Sequence, residues 1–193
     1  MSSCIFILNA PPLSFTKLDL YSTEFAFNTT GSFIKAISDT FFLSNEFRKQ
    51  NLLYYCTEYN SKSFIVVFDG RTIKYLGPSF FSAAHLLLRA KNHINNPHSK
   101  KGKLTPGLDV YNTSFENILE KHADKKLVQI KESPKEKQIS LSKSALLQPV
   151  FLLGFKDIPN KYNYSEISLG SLAIDEQIIV TNYFIDQVME NES

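Results

Sequence analysis

The sequence predicts an α/β domain built on a largely parallel sheet. Three observations carry that expectation. Short continuous apolar runs, Cys-Ile-Phe-Ile-Leu at 4–8 and Val-Phe-Leu-Leu at 150–153, suit strands covered on both faces. The second half of the chain alternates extended, β-branched segments with helix-like ones. In the first half, residues 32–47 carry Phe33, Ile37, Phe41 and Phe42 at helical spacing between two extended runs.

The elements follow in order. The first strand, 4–8, is ended by Asn9 and Pro11-Pro12, and residues 10–31 read as loop. A helix is expected from Ser32 to about Phe47. "LLYYCTEY" (52–59) and "SFIVVFDG" (63–70) read as strands, rich in aromatic and β-branched residues. Asp69-Gly70 then predicts a type I′ hairpin, whose central residues need positive φ, with "RTIKYL" (71–76) as the returning strand. Pro78 opens a new element, and 79–95 reads as a helix with Phe80, Ala84, Leu87 and Leu88 on one side. Residues 91–103 are polar, basic and broken by Pro97 and Gly102, which makes them the internal boundary candidate. Beyond it come a strand ("GLDVY"), a helix ("TSFENILEKHA", N-capped by Thr113 or Ser114) and a strand ("KKLVQIK"). A polar Lys/Ser-rich stretch at 132–144 follows. "PVFLLGF" (149–155) and "SEISLG" (165–170) are strands that meet a glycine, and 172–189 reads as a helix.

Composition bounds the rest. The 193 residues have 43 % hydrophobic and 21 % charged content, ordinary for a globular domain and unlike a disordered chain. Sixteen Phe and no Trp imply a Phe-rich core. A formal net charge of +2 neither demands nor excludes nucleic acid, which only a local patch could recognise. Cys4 and Cys56 lie in apolar runs and read as buried thiols of a reducing compartment, with no Cys/His cluster to hold zinc. No apolar run is long enough to span a membrane. A cytoplasmic protein without a metal is expected.

Two apolar strands end in glycine, at Leu153-Gly154 and Leu169-Gly170. In open α/β sheets ligands bind beyond the carboxyl ends of strands, and glycine there lets a ligand approach the backbone. With Ser171–Gln177 as a third loop, such ends could form a pocket for an adenosine-like ligand. The same glycines also read as plain strand-to-turn punctuation. Neither fits a Rossmann or Walker loop. His85, His93, His98 and His122 have no Ser or Cys partner and are expected as exposed helix or loop residues. Asp175-Glu176 favour a helix N-terminus. Arg89, Lys91, Lys100, Lys101 and Lys103, with His93 and His98, form an acid-free basic stretch that reads either as a phosphate contact or as a solvated loop.

Five motifs in order resemble one family. "FFLSNEFRK" (41–49), "FDGRTIKYLGPS" (68–79), "TPGLDVYNTSFENILEKHADKKL" (105–127), "PVFLLGF" and "ISLGSLAIDEQIIVTNYFID" (167–186), the last with Asn182 and Asp186, are similar to the archaeal tRNA (pseudouridine(54)-N(1))-methyltransferases of the SPOUT class. The resemblance spans nearly the whole chain. It implies a single domain over 1–193, a SPOUT-type sheet with helices on both faces, and a C-terminal trefoil knot within about 105–193. It implies S-adenosylmethionine held by three loops, at Leu153 and Gly154, at Ser168, Leu169 and Gly170, and from Leu172 to Gln177. It also implies tRNA as substrate and a homodimer. Charged family positions are replaced here: Leu-Gly-Asp-His by Leu153-Gly154-Phe155-Lys156, Asp-Glu-Arg-Ser by Ser79-Phe80-Phe81-Ser82, and His-Cys by Glu176-Gln177. A Gly-Gly-Arg-Leu-Asp pattern has no counterpart in Phe27–Gly31. Two functions follow: an RNA methyltransferase with no nameable catalytic base, or an inactive homologue that binds RNA or dimerises as a scaffold. A structure without a knot would instead favour an unrelated α/β enzyme.

Overall fold

The computed structural model describes residues 3–43, 46–98, 103–131 and 148–190. Nine strands and five α-helices are defined among them. They run β1 (Ile5–Asn9), α1 (Thr23–Phe27), α2 (Thr29–Phe41), β2 (Phe42–Leu43), β3 (Glu46–Phe47), β4 (Leu52–Tyr59), β5 (Lys62–Asp69), α3 (Phe80–Asn95), β6 (Leu108–Tyr111), α4 (Phe115–Lys121), β7 (Leu127–Lys131), β8 (Val150–Leu153), β9 (Tyr164–Ser168) and α5 (Ile174–Glu190). Seven strands form one sheet in the order β6-β5-β4-β1-β8-β7-β9. From β4 to β9 all pairings are parallel, whereas β5 and β6 extend the β4 edge antiparallel. The expected parallel sheet is therefore mixed.

Alternation along each strand sends side chains to two cores. Phe6 and Leu8, with Leu53, Tyr55, Val128 and Phe151, face α2, α3 and α5. Ile5 and Ile7, with Tyr54, Cys56 and Leu152, face α4 and the 155–162 segment. Helices thus lie on both faces. Cys4 and Cys56 form no disulfide and are both buried.

The anticipated Asp69-Gly70 hairpin is absent. After Asp69 the chain turns without a returning strand, and Thr72 and Ile73 donate to the Asp69 carbonyl at 3.1 and 2.9 Å. Gly70 serves close approach: an added Cβ would sit 2.9 Å from the carbonyl oxygens of Arg48 and Asn51. The type I′ geometry belongs to Asn60-Ser61, with φ of 49° and 56°, joining β4 to β5 in register. Asn tolerates that region, so the hairpin carries no glycine signal.

The helix expected to reach Phe47 stops at Phe41, where Phe42 turns to extended backbone and pairs with Phe47 in a two-stranded ribbon. Residues 10–31 are not all loop: a short 3-10 turn at Asp19–Tyr21 and α1 precede α2. Asn28 caps α2 by accepting from Gly31 N at 2.9 Å, and Ser79 caps α3 by accepting from Ser82 N at 3.3 Å. Ser114 occupies the N-cap of α4 but makes no side-chain cap bond. The Lys/Ser stretch at 132–144 lies outside the described residues.

α5 lies along α2. Asn182 Nδ2 donates to the Asp39 carbonyl at 3.0 Å, and Arg48 pairs with Asp186. Asn182 and Asp186 therefore clamp the helix in place.

Candidate functional site

The parallel half of the sheet ends its strands where α5 begins. A hollow of about 400 Å³ opens there, lined by Ile130 and Lys131 at the end of β7, Gly154, Phe155 and Lys156 after β8, and Ile174 and Gln177 of α5. A second hollow of about 620 Å³ shares Gly154 and Ile174 and extends to Asn9, Phe27, Asn28, Ser32 and Phe33. Both volumes lie in the range of small-molecule sites.

Gly154 divides the two hollows. Its φ is +76°, and an added Cβ would sit 2.8 Å from the Asn9 carbonyl oxygen and 3.2 Å from the Phe33 ring. Asn9 Nδ2 donates to the Gly154 carbonyl at 3.1 Å. The end of β1 thus fixes the turn that leaves β8. Gln177 forms the opposite wall. It is buried, its Nε2 donates to the Leu172 carbonyl at 2.8 Å, and its Oε1 has no donor from the described residues. A buried acceptor without a donor is costly.

Acidic groups gather at the head of α5. Glu176 accepts from Ala173 N at 2.9 Å, closing the first turn. Ser32 Oγ donates to Asp175 at 2.5 Å. Burial and then the Asp175 charge push the nearby Asp39 carboxyl up to about 7, against the pull of Lys35.

Of the seven residues anticipated for the three loops, Gly154 and Gln177 line the first hollow, and Leu172 supports Gln177 through its carbonyl. Leu153 is wholly buried in the core, so its side chain is structural. Ser168 ends β9 and Leu169 and Gly170 form the turn after it, none of them in the lining of either hollow. There Gly170 has φ +73°, and its N–H donates to Ser168 Oγ at 3.4 Å. Sequence reading missed Ile130, Lys131 and Lys156. The strand-end rule could have found the first two, but β7 carries no terminal glycine to mark its end.

The basic stretch divides. Lys91 is held internally, donating to the Phe15 and Ser14 carbonyls at 2.7 and 3.3 Å. Lys100 and Lys101 lie outside the described residues. His122, expected to be exposed, is buried on the α4 face, 3.1 Å from the Tyr54 hydroxyl. Burial, aided by Lys121 and Lys125, lowers its pKa.

The family model described as "Putative SAM-dependent RNA methyltransferase" matches residues 16–175. The chain belongs to this family. As a member of it, the chain takes S-adenosylmethionine as cofactor and RNA as the substrate class. A comparison with curated proteins finds no match. Among solved structures, the crystal structure of Archaeoglobus fulgidus Nep1 bound to S-adenosylhomocysteine superposes with a TM-score of 0.59 at 10 % identity, covering 98 % of this chain and 100 % of that one. At that identity the likeness speaks for the fold. The residues present fit the cofactor: a side-chain-free turn at Gly154, the amide of Gln177, apolar walls at Ile130 and Ile174, and the Lys156 ammonium for a carboxylate, Lys131 being paired with Glu166 at 2.5 Å.

Proposed function

We propose that this family member methylates N1 of a pseudouridine in the T-loop of tRNA, binding S-adenosylmethionine in the hollow between Gly154 and Gln177. The observation that carries the reading is that hollow. A strand-end turn with no room for a Cβ and the buried amide of Gln177 line it together. Gln177 Oε1 and the backbone after Gly154 would hold the adenosine, with Leu153, Ser168, Leu169, Gly170 and Leu172 shaping the surrounding loops. Lys156 would face the carboxylate. The cofactor supplies an electrophilic methyl group on sulfonium. The protein's part is to hold the ring nitrogen in line with it. The N1 proton has a route through Ser32, which lines the larger hollow and donates to Asp175.

A trefoil knot is part of the same reading. β7 lies between β8 and β9, yet α5, which follows β9, returns to Gly154 and α2. We propose that this C-terminal helix is threaded in the knot that the family resemblance implies, although knots are rare. We further propose one domain over 1–193 and a cytoplasmic homodimer.

Calorimetric titration with S-adenosylmethionine and S-adenosylhomocysteine, followed by methyl transfer to unmodified tRNA with and without pseudouridine at the target, tests the reading. Saturable binding with transfer only to the pseudouridine-containing tRNA is expected. Absence of binding to either ligand overturns it. A specific observation favours a second reading, an inactive RNA-binding scaffold. Where the family resemblance expects Asp-His, Phe155 turns into the core against Phe115, and among the described residues no carboxylate or imidazole lines either hollow. Cofactor binding without transfer would select it.

A further inference from the structure

A third hollow lies on the helix-rich side, away from Gly154. It measures about 490 Å³ and lies between the 15–17 segment and α3, lined among others by Thr16, Lys17, His85, Leu88, Arg89 and Asn92. Phe81, His85, Arg89 and Asn92 follow one another at helical spacing, so one exposed face of α3 carries a ring, an imidazole, a guanidinium and an amide. Tyr21, 70 % exposed, stands against Phe81, 46 % exposed, with ring centroids 6.4 Å apart.

The charges of this groove are arranged for an anion. Neither Lys17 nor Arg89 has an ion-pair partner among the described residues. Asp19 stays ionised and is held outside the lining by the Thr16 N–H and hydroxyl at 2.6 and 2.8 Å, with Lys91 as its charged neighbour. Lys91 fixes the wall by donating to the Phe15 carbonyl at 2.7 Å. Exposed rings add little to folding, and about 12 Å along α3 from the Arg89 guanidinium, two helical turns, they offer what single-stranded nucleic acid uses: π-faces for bases and cations for phosphates.

We propose that this groove and the Tyr21–Phe81 ring pair hold a single-stranded loop of the RNA substrate, phosphates on Lys17 and Arg89 and a base on the rings. The proposal rests on the RNA methyltransferase reading and adds where the RNA lies. α1 separates Tyr21 from Phe27 and Asn28, which line the larger hollow beside Gly154. Its five residues rise about 7.5 Å at 1.5 Å each, roughly one nucleotide of extended strand. An acidic peptide would satisfy the cations but leave the rings without a purpose.

The test is fluorescence anisotropy with a labelled RNA stem-loop and with a fully paired duplex of equal length, across a salt series. Lys17→Gln with Arg89→Gln should weaken both RNAs and lower the salt slope by about 1.4, near 0.7 for each lost phosphate contact. Tyr21→Ala with Phe81→Ala should weaken the stem-loop about 10-fold or more, leaving the duplex and the salt slope unchanged. Lys62→Glu, at the remote β4–β5 turn, should bind as the parent does. Titration with S-adenosylhomocysteine and the melting temperature show that each variant is folded. Parent-like stem-loop affinity in both double variants, with methyl transfer retained, overturns the groove and leaves the methyltransferase reading intact. A parent protein with no RNA affinity overturns both, and binding of polyglutamate through the same residues assigns the groove to acidic protein.

Discussion

The hollow at the head of α5 and the groove along α3 are made of different materials. The first consists of backbone turns, apolar walls and one buried amide, with Gln177 1 % exposed and two lysines, Lys131 and Lys156, in its lining. The second consists of side chains that reach into water: Lys17, Arg89, Tyr21 and Phe81. A buried hollow recognises shape and needs few polar atoms, each of them costly if unmatched. An open groove recognises charge and stacking, and tolerates change one residue at a time. Substitution should therefore act on stability and ligand affinity together in the hollow, and on affinity alone in the groove.

The largest break is expected at Gly154. A β-branched residue there combines the left-handed φ with a clash against Asn9 and Phe33. Gly154→Val should cost about 2–5 kcal/mol, lowering the melting temperature by about 5–15 °C and removing S-adenosylhomocysteine binding. Gly170→Val sharpens the comparison. Its φ is +73°, but nothing lies within 4 Å of the added Cβ, so strain alone of about 1–2 kcal/mol should appear in the melt. Next, Gln177→Leu should weaken S-adenosylhomocysteine about 10-fold or more by calorimetry without altering affinity for RNA. An unchanged titration would remove Gln177 from the site.

Two smaller effects concern buried titratable groups. The Asp39 carboxyl has its folded pKa raised from 3.8 to about 7. Its protonated form favours folding fully below 3.8, and that contribution is lost as pH rises through 7. Asp39→Asn should therefore flatten the decline, raising stability at pH 8 by about 1 kcal/mol once solvent screening is allowed for. A denaturation series from pH 4 to 8 reads this directly, and parallel curves for parent and variant would refute it. His122 runs the other way. Burial lowers its pKa from 6.5, so the folded chain binds fewer protons and stability falls as pH drops below 6.5. His122→Gln should reduce that acid sensitivity by less than about 1 kcal/mol, measured in the same series.

What the sequence made legible follows the same division. Strands with unbroken apolar runs, β1, β4 and β8, were readable because burial on both faces leaves a local signature. Gly154 was readable because a turn beyond a strand admits few other residues. Strand order was not, since β7 reaches its place between β8 and β9 through contacts distant in sequence. The same applies to Lys131 at the hollow. Asp69-Gly70 misled because two demands select glycine, positive φ and close approach, and the residue alone does not tell which one acts. His122 looked exposed in a polar helix, yet the end of α4 folds over Tyr54. The α3 groove was half-visible: Arg89 stood out in the basic stretch, but its companions Lys17 and Tyr21 come from residues that read as loop.

One consequence follows from where Gly154 sits. Residues 9, 33, 154 and 174 meet at this point, drawn from both ends of the chain. A small molecule lodged there fastens the beginning of the fold to its end, and no unfolded chain offers it the same grip. At a concentration 100 times its dissociation constant, such a ligand adds about 2.7 kcal/mol to the whole fold. The protein is thus its own reporter: whichever nucleoside or sulfonium compound belongs in the hollow should announce itself by shifting the melt, before any methyl group has moved.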